Sequence, residues 1–326
     1  MNDTPPQEAQ KPNKDQDWQQ DVINRLAFAA LNEQRRTRRW SIFFKSLLFA
    51  YLLLILLMMY LPGGVDKTSL KTGRHSALVE INGVIANDTE ANADTIITGL
   101  RSAFKDKHSA GVIIRINSPG GSPVQAGYIN DEIKRLRDIY PQKKVYAVVT
   151  DVCASGGYYI AVAADEIFAD KASMIGSIGV VTNGFGFVEA MKKLGVERRM
   201  YTSGQSKGFL DPFSPQKKED VAHINKMLGT VHRQFIDIVK QGRGQRLKDD
   251  PRLFSGLVWT GEESMELGLV DGLGSSSYVA REIIEAEEIV NYTPRETVFE
   301  RFADRIGASF AKTFAQITGF QSFPLK

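Results

Sequence analysis

The sequence is poor in the side chains that most often carry out enzyme chemistry. It has one cysteine, Cys153, and four histidines among 326 residues. A single cysteine excludes a framework of intramolecular disulfides. The histidines have no metal-ligand spacing and are expected at the surface: His75, His108, His223 and His232. A Ser-His-Asp triad therefore has no obvious base, and no metal site is expected.

The common ligand-binding motifs are also missing. There is no phosphate-binding G-x-x-x-x-G-K-[ST], no H-E-x-x-H and no paired CxxC, and the G-x-G segments lack the third glycine of a dinucleotide fingerprint. The net charge is only +3, and much of the basic excess lies within residues 35–39. A nucleic-acid-binding surface would spread basic residues along one face with interleaved aromatics, so nucleic acid is not an expected partner.

One long apolar run lies near the N-terminus. Residues 46–61 carry no charge, and extension back to Trp40 gives 22 residues interrupted only by Lys45. A helix of that length measures about 33 Å, enough to cross a bilayer core of about 30 Å. A core helix would show a polar face, and a cleaved signal peptide would have a shorter preceding segment and a small-x-small site. The run therefore predicts an uncleaved transmembrane anchor.

The anchor divides the chain into four parts. These are a polar tail and basic helix (1–39), the anchor (40–61), a linker (62–74) and a large domain (75–326). Basic residues are denser before the span than after it, which places the N-terminus in the cytoplasm. The chain is expected to cross the membrane once, with the large domain on the outer side; in a Gram-negative bacterium this is the inner membrane, and the large domain lies in the periplasm.

The large domain alternates short apolar runs with helical patterns, which predicts an α/β fold with a largely parallel sheet. The predicted strands are 75–85, 111–117, 145–150, 167–170, 174–182 and 198–202. The predicted helices are 89–104, 124–140, 154–164, 188–194, 215–240 and 297–314, with a basic loop at 242–244. Glycine-rich turns follow two of the strands, at 118–121 and 155–157. Ligands bind beyond the carboxyl ends of parallel strands, so these turns mark the expected site.

Ser155 is the candidate nucleophile, because it lies where a strand gives way to a helix. Backbone N–H groups of the two glycine turns could together stabilise an oxyanion. A plain N-cap serine is the alternative for Ser155. Cys153 is a weaker nucleophile candidate without a basic partner. Ser206 matches G-x-S-x-G, but Gly208 and the proline that follows predict a loop where that motif needs a helix.

A serine without histidine needs another base, and Lys207 lies in a loop flanked by small residues. To act at neutral pH its pKa would have to fall from about 10.4 to about 7–8, which burial can supply. From position alone, an ordinary solvated lysine is the simpler interpretation.

Five sequence blocks bear on this choice. They are INSPGGSP (116–123), ASGGYYIAVAADEIFA (154–169), GSIGV (176–180), SGQSKGFLDPFSP (203–215) and ELGLVDGLG (266–274). In this order, after one anchor, they resemble the signal peptide peptidase A family, over residues 77–273. The resemblance implies the ClpP/crotonase-like fold and a serine endopeptidase with a Ser/Lys dyad that needs no cofactor.

The resemblance also implies roles for particular residues. Ser155 would be the nucleophile, Lys207 the general base and Ser177 a hydrogen-bond partner of the lysine, with Gly121 and Gly156 N–H groups forming the oxyanion hole. Expected substrates are signal-peptide remnants or other extended hydrophobic peptides. A homo-oligomer is implied in which neighbouring subunits complete each dyad. The alternatives are a related membrane serine peptidase that processes specific membrane proteins, a crotonase-fold acyl-CoA enzyme, and a non-catalytic scaffold.

Overall fold

The computed structural model describes residues 14–60 and 73–294. The chain forms two compact units, Met1–Lys67 and Thr68–Lys326. The helix predicted at 297–314 and most of the linker predicted at 62–74 lie outside the described residues.

The N-terminal unit contains one long helix, α1 (Lys14–Tyr60). The basic helix and the apolar span, predicted separately, are continuous, because no glycine or proline interrupts residues 14–60. Within α1, the segment Asn32–Leu56 is long and apolar enough to cross a membrane, and none of it is buried. This is consistent with membrane anchoring.

The C-terminal unit is built from eight strands and seven helices within residues 73–294. The strands are β1 (His75–Asn82), β2 (Ser109–Ser118), β3 (Val145–Ala154), β4 (Glu166–Ala169), β5 (Met174–Gly176), β6 (Val258–Thr260), β7 (Gly272–Leu273) and β8 (Ile289–Asn291). The helices are α2 (Ala93–Lys105), α3 (Pro123–Ile139), α4 (Gly156–Ala161), α5 (Val188–Leu194), α6 (Lys218–Arg243), α7 (Gly261–Glu266) and α8 (Ser276–Tyr278).

The strands form one mixed sheet in the order β6-β5-β3-β2-β1-β8, with β4 pairing β3 and β7. Every pair is parallel except β5 with β6. The long strand β3 changes partner along its length: residues 146–149 pair with β4, and residues 152–154 pair with β5. The three central strands are rich in isoleucine and valine on both faces, as expected for strands covered on both sides. The α/β fold is confirmed.

Most of the predicted elements up to residue 169 are confirmed within a few residues. The helix predicted from residue 89 begins only at Ala93, because the Asn92 side chain accepts a hydrogen bond from the Thr95 N–H and caps it. The strand predicted at 198–202 was wrong. That segment has no strand partner and is exposed throughout.

Two further predictions were wrong because tertiary contacts decided them. The supposed basic loop at 242–244 is largely the end of α6, where Arg243 is buried and forms a two-pronged ion pair with Asp271, at 2.7 and 2.9 Å. His75 was expected at the surface but is 1% exposed, and its Nε2 lies 2.9 Å from the Tyr292 hydroxyl.

Candidate active site

Ser155 occupies a sharp turn between β3 and α4. Its backbone has φ 50° and ψ −120°, a conformation that a residue with a side chain adopts only under constraint. Its N–H donates to the Gly176 carbonyl and its own carbonyl accepts from the Tyr159 N–H, both at 2.9 Å. The Ser155 side chain makes no capping hydrogen bond. The hydroxyl is therefore not used as a helix cap and is available for chemistry.

The turn after β2 packs directly against this serine. Gly120 and Gly121 have φ of 101° and 148°. A Cβ atom at Gly120 would lie 2.7 Å from the Ser155 Cβ and 2.8 Å from the Gly156 nitrogen. A Cβ at Gly121 would lie 2.1 Å from the Ile85 carbonyl oxygen. Only glycine permits this approach of the two turns.

The two turns present free backbone donors side by side. The position of a Cβ on Gly156 would be 3.3 Å from the Gly121 nitrogen. Among the described residues, neither the Gly121 nor the Gly156 N–H has an acceptor, because the bridge between Ile85 and residues 120–122 uses other groups. Paired unfilled donors beside a nucleophile are the arrangement that an oxyanion hole requires.

A cavity of about 580 Å³ opens at this point. Four of the predicted site residues line it: Ser155, Ser177, Gly121 and Gly156. Its other walls combine polar and apolar groups. The polar side chains are Gln234 and Ser255, and the apolar or aromatic ones are Pro119, Pro123, Tyr159, Val180, Val181, Val231 and Phe235. The part contributed by α6 was not predicted, because residues 231–235 are far from the motifs in sequence.

Ser177 follows β5 in a second constrained turn with φ 50°. Its N–H donates to the Leu257 carbonyl at 2.7 Å, and no described residue hydrogen-bonds its hydroxyl. Since Ser155 donates to the adjacent Gly176, the two serine turns are hydrogen-bonded neighbours at one wall of the cavity.

Lys207 is not brought to the cavity within the chain. It is exposed, in a turn where its N–H donates to the Gly204 carbonyl at 3.2 Å. No residue in the segment 179–234 is buried. The burial that a lysine base requires is therefore absent around Lys207 in a single copy.

The alternative nucleophiles have unsuitable surroundings. Cys153 is fully buried, and burial raises the pKa of its thiol, so the reactive thiolate is disfavoured. Ser206 lies in an exposed turn with no helix after it. Among residues 14–60 and 73–294, no group of histidine, cysteine and carboxylate side chains is placed to hold a metal ion.

Comparison with known proteins agrees with this architecture. Residues 138–290 match the model of peptidase family S49. A putative signal peptide peptidase SppA of Enterococcus faecium is 31% identical over 206 residues, covering 61% of this chain and 59% of that protein. A putative protease of Synechocystis sp. is 31% identical over 209 residues, covering 64% of this chain and 72% of that protein.

Another relative has a higher sequence identity to this chain, but the match covers a smaller part of that protein. A Brucella abortus protein named as the Na(+)/H(+) antiporter NhaA is 54% identical over 177 residues, which are 54% of this chain but only 24% of that protein. The chain thus spans about a quarter of that relative and under two thirds of the Enterococcus one. The family model covers residues 138–290, which run from the end of α3 to β8 and include Ser155 and Lys207. The Synechocystis protease is matched over 72% of its length, and both comparisons lead to one assignment. The chain belongs to peptidase family S49, the signal peptide peptidase A family.

Proposed function

We propose that this chain is a serine peptidase, a membrane-anchored endopeptidase with a Ser/Lys dyad in which Ser155 is the nucleophile and Lys207 the general base. The observation that carries the proposal is the free Ser155 hydroxyl beside the unfilled Gly121 and Gly156 N–H groups. All of these groups border a cavity that is large enough for peptide side chains and has apolar side chains in its walls.

The proposed mechanism gives each of these residues one role. Neutral Lys207 accepts the Ser155 hydroxyl proton while Oγ attacks the scissile carbonyl carbon. The resulting oxyanion accepts hydrogen bonds from the Gly121 and Gly156 N–H groups. The protonated lysine then delivers its proton to the leaving amine, and an acyl-enzyme remains. Water, deprotonated by the same lysine, hydrolyses the ester and restores Ser155. The Ser177 hydroxyl hydrogen-bonds the lysine and orients it.

The cavity suits extended, hydrophobic peptides such as the remnants of cleaved signal peptides. The valine, proline and aromatic side chains in its walls can contact the aliphatic side chains of such a peptide. The N–H groups of Val180 and Val181, which line it, have no acceptor among the described residues. Unpaired backbone beside a cleft can bind a peptide as an added strand, reading its side chains through alternate pockets.

A second copy of the chain supplies the base. The segment 179–234 contains no buried residue, yet it exposes large apolar side chains: Val181 is 83% exposed, Phe185 81%, Leu194 77% and Tyr201 91%. Exposed apolar surface of this extent is typical of an interface. In a homo-oligomer a neighbour's segment would cover this surface, and Lys207 of one copy would be buried beside Ser155 of the next.

Anchoring by α1 places this chemistry at the membrane where such substrates are released. The apolar segment Asn32–Leu56 would cross a bacterial inner membrane once. The arginines that precede the apolar core keep the N-terminus in the cytoplasm, and the C-terminal unit faces the periplasm.

The test is hydrolysis of a fluorogenic peptide with a hydrophobic, signal-peptide-like sequence by the full chain in detergent micelles. Ser155→Ala and Lys207→Ala should each lose at least about 1000-fold in kcat. Lys192→Ala, at another exposed lysine of the same segment, is the matched control and should retain wild-type activity. Wild-type turnover in Ser155→Ala or Lys207→Ala, with unchanged thermal unfolding, would refute the dyad.

Co-expression of the two inactive variants tests how the dyad is assembled. If Lys207 acts on a neighbour's serine, mixed oligomers contain sites with Ser155 from one copy and Lys207 from another, and part of the activity returns. If the dyad forms within one copy, no mixed oligomer contains an intact site, and the mixture stays inactive.

A further inference from the structure

Before its apolar core, α1 carries an unneutralised patch of positive charge, which we call the arginine arc: Arg35, Arg36, Arg38 and Arg39. All four side chains are exposed. Among the described residues, none of them has an ion pair or a hydrogen bond. Glu33 is the only acidic residue in Asn32–Leu56, so this segment of α1 offers almost no counter-charge.

Helical geometry gathers the four arginines on one side. At about 100° per residue they fall within an arc of about 160°, and Thr37, which interrupts them in sequence, points the opposite way. The Thr37 hydroxyl is bonded to the Glu33 carbonyl at 2.9 Å, on the side away from the arc. The four guanidinium groups can therefore contact ligands that lie on the same side of the helix.

An aromatic cluster fixes the depth of this arc relative to a bilayer. Directly after Arg39, the Trp40 ring lies 5.9 Å from Phe43 and 5.8 Å from Phe44, and all three are more than half exposed. Such aromatic groups favour the boundary between headgroups and hydrocarbon. At about 1.5 Å per residue the arginines then lie about 2 to 8 Å beyond Trp40, which is the depth of the headgroup layer.

We propose that the arginine arc binds the phosphate groups of anionic phospholipids, so that α1 recruits such lipids around the enzyme. Guanidinium groups bind phosphate through paired hydrogen bonds, and phosphate at headgroup depth is the anion nearest to this arc. The inference rests on the proposed membrane anchoring of α1 and is independent of the Ser/Lys dyad.

Trp40 is a reporter adjacent to the arc. The full chain is reconstituted into phosphatidylcholine vesicles that contain brominated phosphatidylglycerol or brominated phosphatidylcholine at equal mole fraction. The fluorescence of Trp40 is taken as the difference from a Trp40→Phe variant. We expect the brominated anionic lipid to quench Trp40 with at least about a fivefold preference, equivalent to one basic contact, and 0.5 M salt to weaken it.

The preference should disappear when all four arginines are changed to glutamine. The matched control replaces four exposed lysines of the C-terminal unit (Lys105, Lys107, Lys171 and Lys248) by glutamine; it changes the net charge equally and should keep the preference. Equal quenching by both lipids, or a preference that survives in the arginine variant, would overturn the inference while the anchor stands. Quenching by neither lipid would overturn the anchor and this inference together, and would leave peptide hydrolysis untouched.

Discussion

The backbone N–H of Ser155 donates a hydrogen bond of 2.9 Å to the carbonyl oxygen of Gly176. Gly176 directly precedes Ser177, so this bond joins the turn at Ser155 to the turn at Ser177. Both turns are constrained, since each serine has φ 50°. Left-handed backbone in residues with side chains costs about 1–3 kcal/mol each and persists only where the surroundings impose it. Here the hydrogen bond between the two turns helps to keep each of them in this conformation. Both turns border the same cavity.

The variant Gly120→Ala tests whether hydrolysis requires the close approach of the turn after β2 to the turn at Ser155. Gly120→Ala would place a Cβ 2.7 Å from the Ser155 Cβ on a backbone with φ 101°. We expect hydrolysis to fall at least about 100-fold, since small misplacements of reacting groups are this costly. The free energy of unfolding, measured by chemical denaturation, should fall by about 2 kcal/mol.

The control for this change is Gly127→Ala, in α3, where a new Cβ meets no atom within 4 Å. A helical glycine replaced by alanine should gain about 0.5–1 kcal/mol in stability, and activity should be retained. An active Gly120→Ala enzyme would show that the two turns need not be in contact.

Cys153 is the only cysteine of the chain and lies two residues before Ser155. Because it is 0% exposed and burial raises the pKa of its thiol, iodoacetamide should neither label the folded protein nor inhibit hydrolysis. A fluorophosphonate should inactivate the enzyme in proportion to labelling, and mass spectrometry of the digested protein should locate the adduct at Ser155. Inhibition by iodoacetamide under native conditions would show that Cys153 takes part in hydrolysis.

Arg243 links the end of α6 to Asp271. Its guanidinium is buried, pairs with both carboxylate oxygens and also donates to the Gly268 carbonyl at 2.8 Å. Arg243→Ala leaves Asp271 short of its main partner, and we expect the free energy of unfolding to fall by about 3–5 kcal/mol. Arg252→Ala removes an exposed pair with Asp250 and should cost less than about 1 kcal/mol. Equal losses in the two variants would contradict the structural role of Arg243.

Glu132, on α3, gives a defined pH dependence of stability. The hydrogen-bonded Arg135 guanidinium, aided by Arg101, lowers the pKa of the Glu132 carboxyl from 4.5 to about 2. The stabilisation is complete above pH 4.5 and is lost as the pH falls toward 2, because the unfolded chain takes up the proton first. Since both arginines are about half exposed, solvent limits the effect to about 1 kcal/mol.

The measurement is the free energy of unfolding between pH 5 and pH 3. It should fall more steeply in the wild type than in Glu132→Gln. Glu189→Gln, on the exposed helix α5, should behave as the wild type. Identical slopes in wild type and Glu132→Gln would show that the ion pair contributes nothing.

Much of this protein could be predicted from local sequence, because local forces dominate there. The apolar span, the alternation of apolar strands with amphipathic helices, and the two glycine turns depend on neighbours within a few residues. Ser155 and the glycines could be identified for the same reason, since a turn directly after a buried strand must lie at the edge of the sheet.

The remaining features were decided by contacts between distant segments. Residues 198–202 have a strand-like composition but no partner strand. Arg243 lies in a segment that was predicted as a loop, but it belongs to α6 and is paired with Asp271, a residue distant in sequence. The α6 wall of the cavity depends on how that helix packs against α4, which periodicity does not specify. Lys207 is the clearest case. Its sequence block identifies it, but the burial that would make a lysine a base is a property of packing, and one copy of the chain leaves it exposed.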